Sequence, residues 1–238
     1  MTRLPRRVVD KLFVLALRFA AALIRRGTRD GRRRYFDPAA FAWTRMLEQA
    51  WGDIRSELDE VLKQRESIPN FQEVSPEQLS ITDDDRWKSF VFSVFGTRIA
   101  RNCRRCPRTA ALLGAIPGLH NAMFSILAPG KHIPEHRGPY NGLLRYHLAL
   151  KVPRQRSACV IEVAGELREW QQGRTLIFDD SHLHSVRNDT AEERVVLFAD
   201  FERPLPWPLA VVNRLVLAWL ARTPLARGPI ERFAKGIL

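Results

Sequence analysis

The sequence predicts a mainly β fold with helical flanks: a barrel or double-sheet roll in the second half, held between N-terminal and C-terminal helices. Three observations predict it. From about Gly118 onward, short apolar runs (AMFSIL, LLRYHLALKV, ACVIEV, TLIFDD, RVVLFADF) alternate with Gly- and Pro-bearing turns, as in sandwiches and rolls. Upstream, Phe41, Trp43, Met46, Leu47, Trp51, Ile54, Leu58 and Val61 fall mostly at helical spacing. After Arg203-Pro204, Leu209, Val212, Leu215, Val216 and Trp219 do so again. The 238 residues are 45% hydrophobic, enough for one sizeable core with appendages at each end.

In chain order, residues 5–26 read as an amphipathic helix. Arg7, Lys11, Arg18 and Arg25 form a narrow stripe at 100° per residue, and Leu12, Phe13, Leu15, Phe19, Leu23 and Ile24 cover most of the rest. Such a helix suits a lipid interface, or packs on its own domain or a second subunit. A basic linker, 27–37, leads to a helix expected from Pro38 to about Gln64, with Asp37 as N-cap and proline in the first helical position. Residues 65–86 are polar and expected to be irregular, Trp87 to Phe95 a strand, and Thr109 to Ile116 a short helix. Four segments follow: a basic helix and linker at 1–34, helical support at 35–117, a β-roll at 118–205 and an apolar, basic helical end at 206–238.

The net charge of +12 is uneven. Residues 1–34 carry +9 and residues 203–238 carry +5, which leaves −2 for the middle. Basic ends around a near-neutral centre point to an anionic partner. No basic surface interleaved with aromatics and no binding motif supports nucleic acid, so none is expected as a partner. Leu12 to Ile24 is too short to span a bilayer and contains Arg18, which also argues against a secretory signal. Three cysteines do not make a disulfide framework and suit a reducing compartment; Cys103 and Cys106 have CxxC spacing without two further zinc ligands nearby.

The residues with chemical potential concentrate between His147 and Asp200. In LLRYHLAL, Leu144, Tyr146, Leu148 and Leu150 share one strand face, so Arg145, His147 and Ala149 share the other. An inward histidine beside an arginine needs partners. His184 lies 37 residues on, where the strand of TLIFDD gives way to a turn, and Asp179, Asp180 and His182 crowd beside it. Arg194 heads the run VVLFADF ten residues later. Imidazoles ligate iron and a guanidinium fork grips a carboxylate, so two ligands on successive strands with a clamp on a third suggest a non-haem iron enzyme using a keto acid. A pair of hydrogen-bonded structural histidines is the alternative. His136 stands in the polar loop HRGPYNG, expected at the mouth of the site; His120 and His132 have no evident role.

The pattern HRGPYNGLLRYHLAL…W…G…LIFDDSHLHSVRNDT…RVVLFADFERPL, over about 118–205, resembles the aspartyl/asparaginyl β-hydroxylase family. The resemblance implies a double-stranded β-helix of the jelly-roll, cupin-like kind, and Fe(II), O2 and 2-oxoglutarate as cofactors and co-substrates. It implies iron on His147 and His184 and the distal carboxylate of 2-oxoglutarate on Arg194. The position two after His147, where related enzymes place a carboxylate ligand, is Ala149, and this family commonly lacks that ligand too. Protein-hydroxylating relatives tend to carry basic residues in the strand CVIEV for the other carboxylate of the keto acid. Glu162 and Ala164 stand there in this chain, which leaves Arg145, and at the mouth His136, as co-substrate contacts. The combination is closer to the branch that hydroxylates acyl chains of lipid A and ornithine lipids. With the basic ends, this yields the expectation of a cytoplasmic enzyme peripheral on the inner face of the membrane. The terminal helices either touch lipid or join subunits in a homo-oligomer. The other substrate class that the resemblance implies is an aspartyl or asparaginyl side chain. From the basic ends alone, a non-enzymatic anion-binding β-roll is the third reading.

Overall fold

A computed structural model describes residues 6–76 and 79–238, with side chains from Leu15 onward except those of Ala16 and Leu225. Among them are eight α-helices and eleven strands. The helices are α1 (Arg6–Gly27), α2 (Trp43–Gln49), α3 (Trp51–Leu62), α4 (Phe71–Val74), α5 (Ala100–Arg105), α6 (Pro107–Leu113), α7 (Leu209–Leu220) and α8 (Pro224–Ala234). The strands are β1 (Tyr35–Phe36), β2 (Trp87–Val94), β3 (Thr97–Arg98), β4 (Leu119–Leu127), β5 (His132–His136), β6 (Leu143–Lys151), β7 (Cys159–Val163), β8 (Glu166–Glu169), β9 (Thr175–Phe178), β10 (His184–Asn188) and β11 (Arg194–Glu202).

The strands form two antiparallel sheets, ordered β1-β9-β6-β11-β4-β2-β3 and β5-β10-β7-β8. Period-two alternation divides the major sheet cleanly. On β11, Val195, Leu197, Ala199 and Phe201 face the helices with Leu144, Tyr146, Leu148 and Leu150 of β6, while Val196 and Phe198 face the minor sheet. The helical layer fills the first side through Ile54, Leu58, Val61 and Leu113, and the space between the sheets is the second core. The expected roll is therefore present, with Arg145 and His147 on its inner face.

Several boundaries move. The expected division at residue 118 separates the chain but not the sheet, because β1, β2 and β3 from the preceding segment extend the major sheet. Bulky, β-branched and aromatic residues make Trp87–Val94 buried on both faces, as a central strand requires. The long helix expected over 38–64 is a short 3₁₀ turn, α2 and α3, bent at Ala50. Asp37 caps it as anticipated, accepting from the Ala39 N–H at 2.9 Å. The break lets Trp43 pack tilted against Tyr146 and edge-on to Phe201, both at 5.0 Å between ring centres, while the Trp51 indole donates to the Ala149 carbonyl at 2.9 Å. Periodicity alone does not register that double anchoring. Within 65–86, α4 is ordered by a capping box between Asn70 and Glu73.

Helix α1 covers the described part of the expected 5–26 span, from Arg6, and docks on α7, with Ala20 and Ile24 buried against Tyr140, Leu217 and Leu220. The Arg7 and Lys11 side chains of the basic stripe, and Leu12 and Phe13, lie outside the described side chains. Arg203 ties the termini to the roll: buried, it pairs with Asp179, donates to the carbonyls of Asn141 at 2.8 Å and Asp30 at 3.1 Å, and sits over Phe36. No described helix is long and apolar enough to cross a membrane.

Candidate active site

The two histidines approach from opposite sheets. His147 is carried by β6 opposite Phe198 of β11; His184 opens β10, paired with His136 of β5 and Val163 of β7. They are not on successive strands, because β7, β8 and β9 intervene, and His184 begins a strand after the turn rather than ending one. Sheet closure nevertheless brings both into one cavity of about 90 Å³, walled by Trp87, Ile133, Ile161, Phe178 and Val186. Both rings meet Phe178, at 5.1 and 5.9 Å between centroids.

Their electronic states suit ligation. His147 is 5% exposed, and neither of its ring nitrogens has a hydrogen-bond partner. Leaving both unsatisfied is costly for a buried imidazole without an additional ligand. His184 is 4% exposed; its Nδ1 lies 2.9 Å from the His182 carbonyl, which fixes Nδ1 as the donor and leaves Nε2 as a lone pair. Burial, reinforced by Arg194, Arg145 and His184, holds the His147 pKa well below 6.5. Burial, then His136 and Arg145, pushes His184 down to about 3. Both are neutral, the form that binds a metal. Among the described residues no group of three His, Cys, Asp or Glu is placed to hold a metal. A metal held here would have two imidazole donors, which would leave coordination positions for a bidentate small molecule and oxygen. These residues fit ferrous iron.

Arg194 is 1% exposed on the inner face of β11. Its guanidinium lies 4.7 Å from the Trp170 ring centre, and Nη1 reaches the Ser125 carbonyl and hydroxyl only at 3.5 Å. Nε has no hydrogen-bond partner, and no carboxylate among the described residues pairs with the guanidinium. Burial lowers its pKa to about 10. A buried guanidinium without a carboxylate partner, lining the same cavity as His147 and His184, fits a carboxylate ligand.

Arg145 is already engaged. It lies 2.8 Å from Asp180 and 2.9 Å from Asp200, with its guanidinium 4.4 Å from the Phe198 ring centre. It lines the cavity while neutralising two buried aspartates, and Asp180 is committed to it. His136, which lines the cavity, lies tilted against His184 with ring centroids 4.1 Å apart, and its Nδ1 is 2.8 Å from the Pro134 carbonyl. His182 contributes through its backbone. Glu162 belongs to the outer face of β7, while Ile161 and Val163 point inward. Ala164 is a hairpin residue with φ +49°. The departure seen at these two positions therefore lies outside the cavity.

The sequence reading missed Ser125, Trp87 and Phe71. The Trp87 indole donates to the Ser125 hydroxyl at 3.0 Å, and Phe71 stacks on Trp87 at 3.8 Å. Only register shows that Ser125 lies beside Arg194; Trp170 belonged to the motif without an assigned role. The CxxC pair is structural: Cys106 is fully buried, its thiol pKa pushed up to about 12 by burial, and Cys103 reaches the Phe92 carbonyl. His120 and His132 pair with Glu202 and Asp189 away from the cavity.

Two antiparallel sheets packed around an inward pair of histidines and a buried arginine without a carboxylate partner form a candidate oxygenase-type site on a β-roll. Residues 48–204 match the family model described as Aspartyl/Asparaginyl beta-hydroxylase, and the chain belongs to that hydroxylase family. It is 40% identical over 223 residues to "Ornithine lipid ester-linked acyl 2-hydroxylase" of Rhizobium tropici, covering 94% of this chain and 79% of that protein. It is 32% identical to human "Aspartyl/asparaginyl beta-hydroxylase", covering 66% of this chain and 21% of that protein. The mouse "Aspartate beta-hydroxylase domain-containing protein 2" is 40% identical over 53% of this chain and 39% of its own length. The chain therefore spans well under half of these two mammalian relatives. Among solved structures, a Pseudomonas putida prolyl-4-hydroxylase aligns with 65% of this chain and 88% of its own at a TM-score of 0.41 and 16% identity.

Proposed function

We propose that the protein is an Fe(II)/2-oxoglutarate-dependent dioxygenase that hydroxylates an acyl chain of a lipid, of the ornithine lipid or lipid A type, at the inner face of the cytoplasmic membrane. One observation carries the oxygenase reading: His147 with two unsatisfied ring nitrogens, and Arg194 without a carboxylate, line the same buried cavity. His147 and the Nε2 of His184 would hold the iron, and Arg194 the distal carboxylate of the keto acid. When bound, iron with 2-oxoglutarate and O2 supplies the oxidising power to hydroxylate an unactivated C–H bond, the keto acid leaving as succinate and CO2. The chain's own residues orient and exclude water: Trp170 and Ser125 fix Arg194, the His182 carbonyl fixes the His184 tautomer, and the apolar wall keeps the cavity dry.

The lipid reading rests on the rhizobial relative, whose named activity suggests acyl C2, beside the ester carbonyl, as the oxidised carbon. It is supported by apolar side chains turned to solvent on α1 and α7, which pack together, and just before α7. Phe19 of α1 and Leu215 of α7 are each 67% exposed, and Trp207, in the turn before α7, 81%. Arg18, Arg25, Arg26 and Arg29 lie on or just after α1, all but Arg29 within it, and all are exposed. At roughly 1 kcal/mol each against anionic lipid, four would contribute about 4 kcal/mol, near a thousandfold in binding.

The test is mass spectrometry of lipids from cells expressing the wild type or His147→Ala, with succinate release measured on the purified proteins. Gain of one oxygen on an acyl lipid, lost with His147→Ala, is the expected result. Unchanged lipids with an oxygen gained on a protein Asp or Asn would transfer the assignment to the side-chain hydroxylases. Succinate release that persists in His147→Ala would end the oxygenase reading.

A further inference from the structure

A second cavity adjoins the histidine cavity and is larger, about 310 Å³ against about 90 Å³. Both linings contain Arg137, Pro139, Arg145, Asp180 and Phe198, which make the junction. Beyond it the chamber is mostly apolar, with Val94 of β2, Met123 of β4, Leu143 of β6, Leu220 of α7 and Pro229 of α8 in its wall. Polar groups gather at the neck, where Arg145 lies between Asp180 and Asp200. A polar neck beside the reactive centre and an apolar chamber behind it match an amphiphile, with its carbonyl at the neck and hydrocarbon beyond. An aspartyl or asparaginyl side chain reaching the histidines would leave this chamber without apolar contact.

The chamber is preformed. Phe95, with φ +45°, lines it and is held by its N–H donating to Asn121 Oδ1 at 2.9 Å. Asn121 in turn donates to Asp200 at 3.0 Å, and Asp200 accepts from Arg145. The chamber lining and its neck are thus one hydrogen-bonded string, which keeps a backbone conformation unfavourable for phenylalanine in place. Tyr140 and Leu220, also in the lining, pack on Ala20 and Ile24 of α1, so the chamber lies directly beneath the helices that carry the exposed apolar side chains.

We infer that this second cavity receives the acyl tail beyond the hydroxylated carbon and sets the chain length the enzyme accepts. The inference rests on the lipid reading above. Its test uses the full chain with Fe(II), 2-oxoglutarate and detergent-dispersed ornithine lipids that differ only in carrying a decanoyl or a stearoyl ester-linked chain. Met123→Phe, which fills the chamber, should lower kcat/KM for the stearoyl lipid by about tenfold relative to the decanoyl lipid, the equivalent of about two displaced methylenes. Binding of 2-oxoglutarate should be unchanged. Leu220→Ala, which enlarges the chamber, should shift the preference toward the longer chain, and it carries the test if Met123→Phe fails to fold. A wild type active on both lipids whose chain preference ignores the variants overturns the inference alone. A wild type active on neither lipid overturns the lipid reading and the chamber assignment together.

Discussion

The Arg194 guanidinium lies 4.7 Å from the centre of the Trp170 indole, with only long contacts to Ser125 and no acidic partner among the described residues. A buried cation without a counter-charge lowers stability until a ligand supplies one. Arg194→Met is expected to weaken 2-oxoglutarate binding by ~3 kcal/mol, roughly a hundredfold. The same change should raise the melting temperature of the ligand-free protein. Isothermal titration and thermal melting on the same samples check both. A melting temperature that falls without any loss of keto-acid affinity would contradict this role.

The two histidines proposed as ligands, His147 and His184, give the metal-free protein a defined acid sensitivity. Their folded-state pKa values lie below 6.5, that of His184 at about 3, so the unfolded chain binds more protons below neutrality. Stability is full above about pH 6.5 and falls as the pH drops from there toward the folded values. Chelator-treated wild type should lose melting temperature between neutral pH and pH 5 more steeply than His147→Phe. Equal slopes would show that His147 is not held neutral.

Gly138 sits where a Cβ would collide with the Asp180 carboxylate, and its N–H donates to the Asp180 carbonyl at 2.8 Å. Gly138→Ala is expected to fold and bind iron, yet displace Asp180 from Arg145 at the neck between the cavities. A misplacement of that order costs about a hundredfold in turnover. Parallel measurement of iron content and of substrate-coupled succinate release separates the site effect from misfolding.

Ala164 carries φ +49° in the turn between β7 and β8, ahead of Gly165 at φ +82°. A non-glycine residue there costs about 1 kcal/mol. Ala164→Gly should therefore raise the melting temperature by a few degrees with activity unchanged.

For the proposed bilayer contact, Phe19→Glu combined with Leu215→Glu should abolish sedimentation with anionic vesicles and leave iron and 2-oxoglutarate binding intact. Point changes are preferable to removing α1, because Ala20 and Ile24 belong to the core beneath it. Vesicle binding that survives the double change would remove these helices from the membrane contact.

The legible part of this protein was what local pattern controls. Alternation along LLRYHLAL placed Leu144, Tyr146, Leu148 and Leu150 on one face and Arg145 and His147 on the other, because a strand's side chains must alternate. Asp37 announced its cap, and the motif from His136 to Arg203 named the family. What pattern could not show depends on which strands become neighbours. The meeting of β6 and β10 from different sheets, the proximity of Ser125 to Arg194, and the commitment of Arg145 to Asp180 and Asp200 all arise from register and closure. The bend at Ala50 follows from two tryptophans reaching different partners across the sheet. The amino-acid sequence by itself determined which side chains turn inward and which family the chain resembles. Only the tertiary structure decided which inward charges are already neutralised and which two nitrogens and one guanidinium are left for a ligand, because pairing across sheets is a property of folded neighbours and not of spacing along the chain.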